Sequence, residues 1–372
     1  MKQLLSYFKK NLDLNIALIL AVVSSFGPNV SLERIEEGLN LRILVLLFCL
    51  MIVVAGFRKL GVLDYLYKKC FKFVYDARSL SRLFVFVCFF FSMAVTNDVA
   101  LIIFVPLAIK ALQDLGRDDL IIPVVSLQTI AANAGSMLTP VGNPQNLFIY
   151  SFYHYDLLEF VRVTGPVFTV CAVLLYIFTV FIDKSPLTLK EQLTTPFKPF
   201  RTVAFIMLFI LCLMAVLRII DVYSMAWIVI CSVAVVDRKM FRQADYKLLL
   251  LFVFLFVFVS NICTYAMVAD VAHHFVKNYE YFVSLCLSQI ISNVPATVML
   301  AEFAMDSDSL LKGVNVGGMG TCVASMASLI SLKAYMKVDG SRPLYYLRKF
   351  TKYNIKFLFV LVPIHILFPS IF

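Results

Sequence analysis

Apolar runs of 16–20 residues recur all along this chain and leave few folds open to it. Such a run matches the ~20 residues a helix needs to cross ~30 Å of hydrocarbon. Of the 372 residues 61% are hydrophobic and 15% charged, against about 25% charged in a soluble domain, and mean hydropathy is +0.89. No ten-residue segments of alternating polarity suggest a membrane barrel, so backbone in contact with lipid has to be helical. The lipid bilayer is the first expected partner. In a soluble chain the net charge of +10 would raise nucleic acid as a partner. Here the basic residues collect in loops, as the positive-inside rule describes, and no nucleic acid partner is expected. The nine cysteines (Cys49, Cys70, Cys88, Cys171, Cys212, Cys231, Cys263, Cys286, Cys322) form no CxxC pair and sit mostly inside apolar runs, as small buried hydrophobes do. Lys2, Lys9 and Lys10 ahead of the run Leu12–Phe26 resemble a signal peptide. No small-x-small cleavage pattern stands out, and the run has a counterpart in the second half, so it reads as a first crossing.

Full crossings are legible at about 12–28, 39–57, 160–182, 202–218, 221–236, 247–263 and 355–371. Segments 120–153 and 309–338 are too long for one straight helix; the first would run about 50 Å. Both carry polar residues and Gly or Pro midway, and each reads as a broken crossing helix. Two further segments are helix–break–helix units: 80–114, broken at Thr96-Asn97-Asp98, and 279–306, broken at Ser292-Asn293-Val294-Pro295. With arms of about 12–16 residues, or about 18–24 Å, they read as re-entrant hairpins. The fold class expected is therefore all-α integral membrane, with two inverted-topology repeats, two re-entrant helical hairpins, two broken transmembrane helices and about nine crossings. The units are an N-terminal repeat at 1–182, a linker and connecting transmembrane helix at 183–220, and a C-terminal inverted repeat at 221–372. With this count, 27 of the 33 Lys and Arg fall on the side that holds the N-terminus. That side is then cytoplasmic, with the C-terminus outside, in the cell membrane. The repeats also show in residues: 133–150 aligned with 315–332 gives six identities in eighteen positions, among them Asn133/Asn315, Gly135/Gly317 and Thr139/Thr321, and Asn97 aligns with Asn293. Discontinuous helices in inverted repeats point to a transporter's binding site.

The breaks carry the chemistry. Interrupting a helix inside the bilayer frees N–H and C=O groups that protein, water or ligand has to satisfy. Thr96, Asn97 and Asp98 can cap a helix starting at Val99. An ionisable side chain at membrane depth is costly and marks an ion path, so Asp98 is the candidate to carry H+ or to help bind Na+; the alternative is an ionised cap facing water. Ser292, Asn293 and Thr297 form the second tip, with Val294 standing where Asp98 does. In the broken helices the candidates are Thr139, Gly142 and Asn143 in the first and Gly318, Thr321 and Ser325 in the second, with Thr139 aligned to Thr321 and Asn143 to Ser325. Asn143-Pro144 reads as N-cap and first-turn Pro. A half-helix N-terminus there is a ready anion site, and nearby carbonyls can hold a cation, so Na+ would bind near Asn97, Asp98 and Asn143. His273-His274 read as surface residues, and Asp270, Glu302, Asp306 and Asp308 as solvated charges. No HExxH, GxSxG or P-loop pattern occurs, so neither an enzyme nor an ATP-driven pump is expected, and no cofactor.

At TNDVALIIFVPLAI (96–109), AGSMLTPVGNPQNLFIY (134–150), SNVPAT (292–297) and GVNVGGMGTCVASMASLISLKAY (313–335) the chain resembles the ion transporter superfamily. The nearest likeness is to its citrate-transporter-like and arsenite-permease-like branch of anion permeases. The resemblance implies a homodimer, a scaffold and a moving transport domain in each protomer, and elevator-like alternating access with substrate held between the hairpin tips. In the dicarboxylate branch each tip reads Ser-Asn-Thr. Thr96 and Ser292 match its Ser and Asn97 and Asn293 its Asn, whereas Asp98 and Val294 replace its Thr. The function expected is secondary active transport of a small anion, a carboxylate or an inorganic oxyanion, coupled to H+ or Na+ by symport. An arsenite-type or cation/proton antiporter is the alternative, and a passive anion channel stands behind it.

Overall fold

The computed structural model describes residues 12–26, 39–59, 74–185, 199–263, 265 and 274–368. Lys2, Lys9, Lys10, Cys70, Asp270 and His273 lie outside them, as do the far ends of the expected crossings at 12–28 and 355–371. The described elements are helical: α1 Leu12–Ser24, α2 Leu41–Lys59, α3 Ala77–Val95, α4 Asn97–Asp114, α5 Ile121–Ser136, α6 Pro144–Phe152, α7 Leu157–Val180, α8 Pro199–Val216, α9 Val222–Asp237, α10 Tyr246–Ile262, α11 Glu280–Ile291, α12 Asn293–Ala301, α13 Ser307–Gly317, α14 Met326–Tyr335 and α15 Pro343–Leu367, with short 3-10 turns before α5 and after α9.

By length and composition α3, α7 and α15 can each cross a membrane, and α9 with α10 forms a further apolar pair bent by 73°. The other apolar helices of the described residues are shorter, including most of α1, α2, α8 and α11. Both broken helices expected from sequence are broken, α5/α6 across 137–143 and α13/α14 across 318–325. Both hairpins differ from expectation in their arms: the closing arm of the second, α12, has 9 residues where 12–16 are expected. The arms of the first run 19 and 18 residues rather than 12–16, because α3 starts as far back as Ala77, under an Asp76–Ser79 capping box, and α4 continues through Pro106.

The middle of the molecule is α5. From Val124 to Ser136 it is buried on every face, the mark of a helix wrapped by others. It packs against α3, α4, α7, α14 and α15. Its small residues Ala131, Ala132, Ala134 and Gly135 allow that closeness, since without a hydrophobic drive between helices in lipid, close van der Waals contact has to hold them together. At Gly135 an added Cβ would stand 1.9 Å from the Phe89 carbonyl oxygen. At Gly317, which α11 approaches in the same way, the nearest atoms belong to the Ser288 side chain, at 2.9 Å. Gly135→Ala is therefore expected to destabilise by at least the ~1–3 kcal/mol typical of overpacking, and by clearly more than Gly317→Ala; melting temperatures of the two variants in detergent check the order. Outside this centre, α1 lies along α10, where Asn261 Nδ2 donates to Ser24 and Ser25 Oγ at 3.1 Å each, and α2 lies along α8 and α9. At one end Arg117 grips Asp119 and Asp183 at 2.9 and 2.8 Å and also meets Ser185, and it holds both carboxyls below their usual range.

Candidate functional site: four helix starts at two tips and two breaks

One residue makes each tip. Thr96 alone turns the chain from α3 into α4, at φ 76°, ψ 148°, and Ser292 turns α11 into α12 at φ 76°, ψ 154°. Both carry a Cβ in a region that suits glycine, at about 1–3 kcal/mol each; strain of this kind persists where the surroundings enforce it. A backbone bond from the neighbouring break secures each tip: Asn97 N donates to Gly142 O and Asn293 N to Ala324 O, both at 3.0 Å. The helix after the first tip begins at Asn97 and not at Val99. Since the Gly142 carbonyl already takes the tip's free N–H, Thr96 makes no side-chain cap bond, and Asp98 lies within the first turn of α4 instead of capping it toward water. The Asp98 Oδ1 is shielded from solvent and has no hydrogen-bond partner. Among the described residues the charged group whose field reaches it is Asp245, the N-cap of α10.

The breaks end on capped helices. Asn143 is extended, its Oδ1 accepts from Asn146 N at 2.9 Å, and Pro144 opens α6. Ser325 is extended likewise and its Oγ accepts from Ala327 N at 3.3 Å. Thr139 Oγ1 donates to Met93 O at 2.5 Å, and Thr321 Oγ1 to Gln289 O at 3.1 Å, so each break is tied to the arm that leads to its tip. The freed carbonyls are also served. Asn146 Nδ2 lies 3.2–3.3 Å from the Ser136, Met137 and Thr139 oxygens. Gln289 Nε2 donates to Gly317 O at 2.7 Å and Met319 O at 3.0 Å. Carbonyls that the sequence offers as cation ligands thus already accept amide N–H groups.

Two asparagines cross between the breaks. Asn133 on α5, 5% exposed, accepts from Asn97 Nδ2 at 3.0 Å and Ser325 Oγ at 3.2 Å and donates to Gly318 O at 3.1 Å. Asn315 on α13, 3% exposed, accepts from Asn143 Nδ2 at 3.3 Å and donates to Asn146 Oδ1 at 2.8 Å. Together with the two tip bonds, which bring in α12 through Asn293 N and Ala324 O, these bonds link the N-termini of α4, α6, α12 and α14 into one cluster. Each helix N-terminus carries roughly half a positive charge, so the four together present about two, with no Arg or Lys in either tip or break.

Of the residues singled out from sequence, Asn97, Gly142, Asn143, Asn293, Gly318 and Ser325 are buried and belong to this cluster, and Thr96, Ser292 and Asp98 stand half-buried at its edge. Thr139 is half-buried and Thr321 exposed, each bonded to a hairpin arm. Thr297 is buried one turn into α12, where its hydroxyl donates to Asn293 O at 2.7 Å. Asn146 and Gln289 escaped the sequence reading, and Asn133 and Asn315 entered it only as an aligned pair. The signal available was an amide side chain inside an otherwise apolar, small-residue helix, which at membrane depth has to find a partner. Among the described residues no group of three or more His, Cys, Asp or Glu could hold a metal.

Comparison with known proteins fits this architecture. The model of the CitMHS family, described as citrate transporter, matches residues 10–327. An uncharacterized transporter of Methanocaldococcus jannaschii is 30% identical over 86% of this chain and 87% of its own length. The inner membrane protein YbiR of Escherichia coli is 31% identical over 86% of each. The human P protein shares 28% identity over 43% of this chain, which is 19% of that protein. With a family model that spans most of the sequence, two relatives similar nearly throughout, and apolar helices interrupted at paired breaks, the chain belongs to the citrate transporter family of multi-pass membrane transporters.

Proposed function

We propose that this protein is a secondary active transporter that binds a small anion, a carboxylate or an inorganic oxyanion, at the joined N-termini of α4, α6, α12 and α14. The observation that carries this reading is that convergence. Four oriented helix ends supply positive potential without a fixed cation, and N-terminal N–H groups are suited to anions. A site built from dipoles releases its ligand more readily than an arginine would, which suits a carrier that has to let go on the far side. Asp98, in the first turn of α4, makes H+ the favoured coupling ion over Na+. As a carboxylate it occupies the same positive potential that the anion needs, so protonation of Asp98 and binding of the anion favour each other, as linkage requires. Anion and proton then travel together.

The same reading takes the chain as two inverted repeats with about nine crossings, the N-terminus in the cytoplasm and the C-terminus outside the cell membrane. What supports it is the repetition of single interactions: the bonds from Asn97 and Asn293 to Gly142 and Ala324, from Thr139 and Thr321 to Met93 and Gln289, and the caps at Asn143 and Ser325. Elevator-like movement in a homodimer follows from the family resemblance and goes with it. The protein in detergent, melted against a panel of oxyanions and carboxylates at pH 5.5 and 8, tests the central claim. A member of the panel is expected to raise the melting temperature at the lower pH and to do so less at the higher. Stabilisation only by cations, or equally at both values, would turn the reading toward a cation/proton antiporter or a Na+-coupled carrier respectively.

A further inference from the structure

Directly beneath the cluster runs a seam of buried hydroxyls to which the proposed anion site gives no task. On α5 the polar residues Ser126, Thr129, Asn133 and Ser136 recur at spacings of three and four, and on α14 Ser328, Ser331 and Tyr335 continue the row that Ser325 opens. Such spacings put each set on one helix face. The helices pack together and the rows meet: Asn133 bonds Ser325 at 3.2 Å, and Thr129 Oγ1 bonds Ser331 Oγ at 2.6 Å. Tyr346 of α15 closes the third side. It is fully buried, and its hydroxyl is within reach of Thr129 without making a hydrogen bond of ordinary geometry. Its ring stacks on Tyr335 at 4.8 Å between centroids, and the Tyr335 hydroxyl accepts from Arg342 N at 3.2 Å at the end of the row.

Three oxygens in this seam, Ser126 Oγ, Ser328 Oγ and Tyr346 Oη, are buried and unpartnered, on residues exposed by 1% or less. A polar group stranded in a bilayer interior is costly, and here Ser126 and Ser328 lie one turn from the bonded Thr129 and Ser331 on their own helices, with Tyr346 facing Thr129. Internal water, which makes two to four hydrogen bonds to buried polar groups, is the ligand that fits. Along α5 the Thr129 level lies about 6 Å below Asn133, and Ser126 about 4.5 Å further on. The seam thus spans the distance from the cluster to the end of α14 that bears Lys333 and Lys337.

We propose that the α5–α14–α15 seam binds a file of water molecules that gives the underside of the helix-start cluster access to water, and through it to protons, from the face bearing Lys333 and Lys337. That this face is cytoplasmic rests on the proposed orientation; that the seam is wet does not. Radiolytic footprinting of the wild-type protein in nanodiscs tests it, because hydroxyl radicals made from bound water oxidise side chains next to that water even when bulk solvent cannot reach them. Tyr346 is expected to be oxidised several-fold faster than Phe350 and Phe357, which are equally buried on the same helix, and to carry oxygen-18 when the protein is irradiated in oxygen-18 water. Thr129→Val combined with Ser328→Ala, which strips two of the water's partners, should slow Tyr346 oxidation toward the rate of its phenylalanine neighbours. Oxidation of Tyr346 as slow as that of Phe350 in the wild type, or unchanged in the double variant, overturns the proposal. The melting experiment on anions is independent of either result, so a dry seam and an absent anion site can be told apart.

Discussion

Replacing Asp98 by asparagine should leave a protein that binds its anion equally well at pH 5.5 and 8, whereas the wild type should lose affinity as the pH rises. The sign follows from charge. Asp98 sits in the first turn of α4 with one oxygen shielded and unpartnered, and its ionised form sets a negative charge against the potential that would hold the substrate. In the pH range where the site has to take up one proton in order to bind one anion, each unit of pH changes the apparent affinity by about tenfold, or ~1.4 kcal/mol. The amide of asparagine has the shape of the protonated acid and, like it, no charge, so the variant should be fixed in the high-affinity form. Transport should suffer in the opposite way. A carrier that cannot take on or give up the proton can still exchange anion for anion, but it cannot accumulate anion against a gradient. Proteoliposomes loaded with anion, with and without a pH gradient, separate the two activities. If Asp98→Asn still accumulates anion in response to pH, the coupling role belongs elsewhere. If the wild type responds to Na+ and not to pH, the carboxylate is a cation ligand.

How far the sequence reaches depends on the range of the interaction. Local rules found the breaks: Pro140 and the glycines at 142, 318 and 320 disfavour a helix, Pro144 suits a helix start, and α5/α6 and α13/α14 part at those places. Local rules also found Asn143, since an N-cap side chain followed by proline is a statement about three consecutive residues. They failed at Asn97, where the helix starts two residues ahead of the expected Val99, because the N–H that would have wanted a side-chain cap is taken by a carbonyl 45 positions away in sequence, Gly142. Composition marked the first hairpin's tip but not the length of its arms, since the boundary at Ala77 depends on the Asp76–Ser79 box and not on hydropathy. Asn133 and Asn315 show the limit most clearly. Their identity was visible as a repeated residue, yet their partners lie 185 and 192 positions away for one and 169 and 172 for the other, and no pattern of spacing reports those.

Those two asparagines lead to the second large effect. Asn133→Ala strands the Asn97 amide, the Ser325 hydroxyl and the Gly318 carbonyl at once. Interhelical hydrogen bonds in membrane proteins average about 0.6 kcal/mol each, so the loss of three predicts about 2 kcal/mol, read as a fall in melting temperature. Asn315→Ala, which takes one partner each from Asn143 and Asn146 and leaves both with others, should cost somewhat less. Because Asn97, which the Asn133 side chain holds, donates its backbone N–H to Gly142 O beside Asn143 at 3.0 Å, the two crossings share a frame. The double variant should therefore fall short of the sum by 0.5 kcal/mol or more, the range expected for coupled sites. Simple additivity would mean that each asparagine serves its own helix alone. Asn133→Asp then separates holding the frame from setting its potential. It keeps the acceptor oxygens for Asn97 and Ser325 and gives up one donor, and the four nearby helix ends favour its charge, so the fold should survive with a smaller loss than in the alanine variant. The added charge, however, lies where a small anion would be attracted, and anion binding should fall by an order of magnitude or more while the melting temperature of the unliganded protein stays near that of the wild type. If Asn133→Asp binds anion as the wild type does, the positive potential of the joined helix ends is not what holds the substrate.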